Sequence, residues 1–486
     1  ENGKQLGPTQ NHGLLDAGAI LTGTNVAMFT IWDGMRGIDY LQTREDIIHD
    51  KIGLTGNSGG GTLTSYIMAL DDRVKVAAPS CYLTNFSRLV KTIGPQDAEQ
   101  NIFGQLEFGM DHPDYILMRA PKPTLMCVAT QDFFDIDGAW DTFREAKRLY
   151  TRMGYAERVD LIETDAKHGF SIELREGMVR WMKRWLMGID EPVFEPEITI
   201  LTDVEALCTP NGNVNSLPGA KSGYDLHRER AERLTSERIA LTPDALREKV
   251  FELTKAWESG LLARGKIEQM DGGTDADDSE QAWYLESEIG VKLPIRLYRP
   301  KKKPASVLIY VHQDGKDAIP QEIINANLSE GRAVCAVDLR GYGETRPTGN
   351  PSGWKDNVGN DWTDYKRAYL MGRSFVGMRA NDITLTVNAM RYFFSDDVDI
   401  RLHAVGTTTV PALHAAALFP GTFSHLTLEG GIPSWEDVVG EPYARHVLMN
   451  TVHGALAVYD LSDLLEILPG NIVTITNSKI DRFEVQ

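Results

Sequence analysis

The sequence predicts an α/β fold built as two successive units, each a mostly parallel sheet flanked by helices. Three observations carry that expectation. Short apolar runs alternate with amphipathic helical stretches, the pattern of strands joined by crossover helices. The 486 residues exceed what one core ordinarily organises. Finally, Gly34-Met35-Arg36-Gly37-Ile38-Asp39 and Gly377-Met378-Arg379-Ala380-Asn381-Asp382 match at Gly, Met, Arg and Asp, as an internal duplication would.

The elements follow in chain order. Lys51-Ile52-Gly53-Leu54-Thr55 is a short strand; Gly56 to Gly61 is a turn, and Thr62 to Leu70 a helix. Strands are expected at 74–78, 124–129 and 158–163, with helices at 139–153 and 175–186. The stretch 191–217, rich in Pro, Glu and Asn, reads as a linker, with helical segments after it near 222–235 and 242–262. Strand signals resume over 283–298, 307–312, 333–338 and 472–475. The expected domains are therefore 1–190, a connector over 191–282, and 283–486.

Composition bounds the partners. Asp plus Glu number 69 against 50 Lys plus Arg, a net charge of −19, which argues against nucleic acid or an anionic membrane surface. No apolar run approaches the roughly 18 residues that cross a bilayer. Cys81, Cys127, Cys208 and Cys335 form no C-x-x-C or His/Cys cluster, so neither a disulfide scaffold nor a metal site is expected. The chain opens Glu1-Asn2-Gly3-Lys4, with neither an initiator Met nor a signal peptide, so processing or excision from a longer protein is expected. A compartment is not assigned; a secreted or periplasmic one is compatible.

Gly56-Asn57-Ser58-Gly59-Gly60 fits G-x-S-x-G between a strand and a helix. Such a turn holds a nucleophile at strained dihedrals, and side chains at the flanking glycines, Gly56 and Gly60, are expected to strike neighbouring backbone. At a helix N-terminus Ser58 sits in a positive field, and the Gly59 N–H can donate to an oxyanion. The loop lacks the Lys-Ser/Thr of a phosphate-binding P-loop; a plain Gly-rich turn is the rival reading. A serine needs a base, and the base an orienting carboxylate. Asp132 follows the strand 124–129, and His168 lies between a strand and a helix, in the order Ser, Asp, His. Asp135 is the alternative acid, and Asp165 reads as a turn residue. Met28, Phe29 and Trp32 line either an acyl pocket or the core.

These positions resemble the acetyl-xylan-esterase-like branch of the α/β-hydrolases, which includes cephalosporin C deacetylases. The likeness rests on Asp33 to Leu41, Gly56 to Thr62, Asp71 to Lys75 and Lys167-His168-Gly169-Phe170. It covers about residues 15–190 and, more faintly, the second half. It implies hydrolysis of small acyl esters, such as acetyl groups on sugars, without metal or cofactor. It also implies a second oxyanion donor on a loop after an early strand, which the first unit lacks.

In the second half Thr408, in Gly406-Thr407-Thr408-Thr409-Val410, is expected at the serine slot, Gln313 follows His312 where a Gly would stand, and no catalytic His follows Asp481. That half reads as a pseudo-enzyme, with His453 structural. Aligning the halves leaves the first without N-terminal strands and the second without its C-terminal end; a second copy or a partner segment would complete the first. The expected function is serine ester hydrolysis. Its rivals are a peptidase using the same triad and a non-catalytic scaffold.

Overall fold

A computed structural model describes residues 7–257, 266–270, 279–348 and 362–482. The fold is mixed α/β, with parallel strands and covering helices. Two compact units divide it, one of Asn25–Lys221, the other of Glu1–Thr24 with Ser222–Gln486. No single helix among the described residues is long and apolar enough to cross a membrane.

The Asn25–Lys221 unit is a four-stranded parallel sheet in the order β1 (Ile52–Asn57), β2 (Val74–Ser80), β3 (Thr124–Gln131), β4 (Val159–Lys167). The helix Gly59–Leu70 joins β1 to β2, and Ile136–Arg152 joins β3 to β4. After β4 the helix Ile172–Met182 lays Leu174 and Trp181 on Val76, Ala78, Leu125, Cys127 and Ala129. Burying two such side chains stabilises the unit by about 1.5–3 kcal/mol each. Trp32 and Met28, expected in a pocket or the core, are instead exposed on the helix Val26–Gln42, where Arg36 stacks over Trp32. Among the described residues β1 pairs only with β2.

The other unit holds an eight-stranded sheet: β5 (Lys266–Gln269), β6 (Glu280–Glu288), β7 (Val291–Tyr298), β8 (Ser306–His312), β9 (Ala333–Val337), β10 (Asp399–Val405), β11 (His425–Glu429) and β12 (Val473–Thr476). Their order is β12-β11-β10-β8-β9-β7-β6-β5; β8 to β12 are parallel, and β5 to β7 form an antiparallel edge. The strand signal over 283–298 lies within a hairpin, turned at Gly290 with φ 81°. The helical signal over 242–262 yields the helix Pro243–Thr254; residues 258–262 lie outside the described ones.

The division falls elsewhere than at the expected boundaries. The helix Pro8–Leu21, read from sequence as part of the N-terminal unit, belongs to the C-terminal one. Its buried Ala19, Ile20 and Leu21 need an apolar partner, and the helix packs against Gly223–Glu237 and Trp435–Gly440. Its Asp16 makes a 2.5 Å ion pair with Lys366, and both side chains are fully buried. Opposite charge is what makes such burial tolerable. The two helices expected in the connector, Gly223–Glu237 and Pro243–Thr254, also lie in this unit.

Candidate active site

Because β1 to β4 run parallel, Ser58, Asp132 and His168 emerge at the same end of the sheet. Ser58 follows β1 directly, at φ 59° and ψ −120°, a conformation that side chains rarely adopt. Holding it takes about 1–3 kcal/mol from elsewhere in the fold. The clamp is Ser80 at the end of β2, whose carbonyl accepts from the Ser58 N–H at 3.0 Å. The Ser80 hydroxyl donates to Asn57 Oδ1 at 3.0 Å.

Glycines permit this closeness, though not all at the expected places. A Cβ on Gly56 would come within 2.5 Å of the Gly60 carbonyl oxygen. Gly60 itself faces open space, with nothing within 4 Å of a Cβ, which departs from the collision expected there. The second tight spot is Gly61, where a Cβ would meet Ser80 O at 2.3 Å. Gly59 opens the helix Gly59–Leu70, and its N–H belongs to the unbonded first turn. A Cβ on it would come within 3.0 Å of Glu99 Oε1, so a buried carboxylate flanks the elbow.

His168 Nδ1 lies 2.9 and 3.0 Å from the two Asp132 carboxylate oxygens. Asp132 Oδ1 also accepts from the Phe134 N–H at 3.0 Å, and its side chain is 2% exposed against 23% for His168. The Phe133 ring covers the imidazole at a centroid distance of 4.2 Å. Such an arrangement orients a histidine.

Asp135, the alternative acid, is engaged otherwise. It caps the helix Ile136–Arg152 by accepting from Gly138 N–H at 3.1 Å, and Arg88 Nε donates to it at 2.8 Å. Asp165 lies in β4, accepting from Thr130 Oγ1 and Gln131 Nε2, and is not a turn residue.

Sequence reasoning missed two neighbours of this group. Cys81, just past β2, holds φ 49° and places its thiol 3.4 Å from the Gly169 carbonyl. Burial pushes that thiol up from the ordinary range. Its sulfur, an Asp132 oxygen and a His168 ring nitrogen all lie within 4.8 Å of one another. A buried lone cysteine after a strand carries no sequence signal beyond core packing. Phe133 was legible only as half of an apolar pair.

In the C-terminal unit the turn after β10 puts its positive φ at Gly406, 69°. Thr408, expected at the serine slot, has φ −77°, and its hydroxyl donates back to Val311 O at 3.1 Å. The positive φ of this turn thus falls on a glycine, two residues before Thr408. Gln313 Oε1 accepts from the Thr407 N–H at 3.1 Å, closing the turn. Asp481 pairs with Lys479 at the surface, and burial lowers the His453 pKa to about 4. All four cysteines are free thiols, three buried and Cys208 exposed.

No known protein-family profile matches the chain. YtaP of Bacillus subtilis (strain 168), a protein named provisionally as a hydrolase, is 28% identical over 172 residues, 34% of this chain and 56% of YtaP. The chain therefore spans little more than half of that curated relative. Similar solved structures carry carbohydrate-esterase names. One from Bacteroides fragilis NCTC 9343, named provisionally as an acetyl xylan esterase, has TM-score 0.40 and 12% identity over 53% of this chain and 75% of its own. A glucuronoyl esterase from Caldicellulosiruptor kristjansonii has TM-score 0.30 and 19% identity over 38% and 56%. An acetyl xylan esterase from Paenibacillus sp. R4 has TM-score 0.28 and 17% identity over 41% and 64%.

Proposed function

We propose that the Asn25–Lys221 unit is a serine carboxylic ester hydrolase acting on acylated carbohydrates or similar small acyl esters. The observation that carries the reading is the pairing of buried Asp132 with His168 Nδ1, at the same sheet end as a serine in a strained elbow. Ser58 Oγ attacks the ester carbonyl while His168 Nε2 accepts its proton. The developing oxyanion is met by the Gly59 N–H. His168 then gives the proton to the leaving alcohol, and a water repeats the cycle on the acyl-enzyme. Asp132 keeps the imidazole in the tautomer that leaves Nε2 free to accept.

The substrate class rests on the family resemblance. The C-terminal unit, whose turn after β10 puts its positive φ at Gly406, is read as a degenerate second hydrolase unit without chemistry of its own. The helices Val26–Gln42 and Phe375–Phe393, which carry the repeated hexapeptide, support that duplication. In each, the motif's Asp is bound by an Arg from another segment: Asp39 by Arg73 and Asp382 by Arg340.

The test is labelling of the protein by a fluorophosphonate probe, with Ser58→Ala as control. Labelling that vanishes in the variant supports an activated serine. Its absence in the intact protein would replace this reading with that of a non-catalytic scaffold. Turnover of acyl esters against peptides separates esterase from peptidase.

A further inference from the structure

Three side chains of different chemistry converge, from three separate segments, at the sheet end that carries Ser58. Cys81 comes from the turn after β2, Asp132 from the end of β3, and His168 from the end of β4. Sulfur, carboxylate oxygen and imidazole nitrogen are the ligand set zinc prefers, and three protein ligands leave a fourth position open. We propose that Cys81, Asp132 and His168 form a binding site for a zinc-like divalent cation, and that occupancy turns the active site off.

The geometry needs little adjustment. In a tetrahedral zinc site with bonds of about 2.0–2.3 Å, ligand atoms stand about 3.3–3.7 Å apart. His168 Nδ1 and Asp132, at 2.9–3.0 Å, would open by about half an ångström. The widest separation in the cluster, no more than 4.8 Å, would close by about one ångström. His168 lies just past the last residue of β4, where the strand ladder no longer holds it. The Cys81 thiol already lies on this side.

Occupancy would have a definite chemical effect. The thiol proton leaves to solvent and Cys81 binds as thiolate. With the cation on Nδ1, the neutral imidazole carries its proton on Nε2 and can only donate there. His168 then cannot accept the Ser58 proton, and Asp132 is drawn to the cation. The cation site stands on the three side chains alone; its inhibitory effect rests on the esterase reading above.

The experiment uses the full chain with Cys208→Ser, which removes the exposed thiol. Cobalt(II) is titrated in while thiolate-to-cobalt absorption is followed, and fluorophosphonate labelling is timed with and without zinc. Expected are an absorption band that saturates at one equivalent and a zinc-dependent slowing of labelling by at least about tenfold. Cys81→Ala and Cys81→Ser should lose the band and most of the zinc sensitivity, each measured against its own zinc-free rate, with thermal melts confirming folding. No band, or one that persists in both folded variants, overturns the site. A band in a protein that the probe never labels keeps the cation site and rejects the esterase reading.

Discussion

The carboxylate of Asp132 lies 2.9 Å from His168 Nδ1, while Asp135, three residues on, turns its carboxylate to Arg88 and a helix N-terminus. The two acids are separable by experiment. Asp132→Asn should lower kcat on acyl esters by about 10³–10⁴-fold through loss of the correct tautomer, with little change in melting temperature. Asp135→Asn should leave kcat within a few-fold and cost no more than about 1 kcal/mol of stability, since Asn caps a helix about as well as Asp and Arg88 keeps its second carboxylate partner, Asp137. Steady-state kinetics beside thermal melts read both.

The strain at Ser58 makes a prediction of opposite sign for function and stability. Ser58→Gly removes the nucleophile and all probe labelling. It also relieves a positive φ of 59°, so the variant should be more stable than the parent by about 1 kcal/mol, less the backbone entropy of the glycine. Denaturant unfolding of parent, Ser58→Ala and Ser58→Gly would show the alanine variant without that gain.

Glycine requirements around the elbow are unequal. Gly56→Ala and Gly61→Ala each drive a methyl into backbone that cannot yield, and should destabilise by about 1–3 kcal/mol and abolish labelling. Gly60→Ala meets open space inside a helix and should be neutral or stabilising by up to about 1 kcal/mol. A labelling assay on the three variants orders them.

His112 supplies the pH dependence. It is buried among Tyr82, Phe86 and Tyr115, and its Nδ1 accepts from the Thr84 N–H at 3.2 Å. Burial lowers its pKa from 6.5 to about 3. Between those values the unfolded chain binds a proton that the folded one does not. Stability therefore rises with pH across that window and is fully present above about 6.5, with a slope of up to about 1.4 kcal/mol per pH unit. His112→Asn should flatten that part of the curve of unfolding free energy against pH.

The order Ser58, Asp132, His168 was legible because each residue ends an apolar strand, and parallel strands bring their ends together. Local signals did not reach the rest. The helix Pro8–Leu21 has an apolar face that any neighbouring core could bury, so sequence order was a poor guide to its unit. Aligning the glycine-rich turns put Thr408 at the serine slot, whereas the backbone puts its left-handed residue at Gly406. Asp135 resembles a catalytic acid because a strand end and a helix cap both favour Asp. Cys81 was unreadable, since what matters is its closeness to Asp132 and His168, which only the folded backbone brings about.

The elbow has a mechanical side. Ser58 is tethered through its N–H to Ser80, and the next residue, Cys81, reaches across to the Gly169 carbonyl beside His168. Ser58 and the segment beside His168 are thus strung on one short tendon of backbone at the tip of β2. A pull on residues 80–81 would be felt at Ser58 and beside His168 at once, so the tip of β2 is the place where engineered tension would reach both residues without touching either side chain.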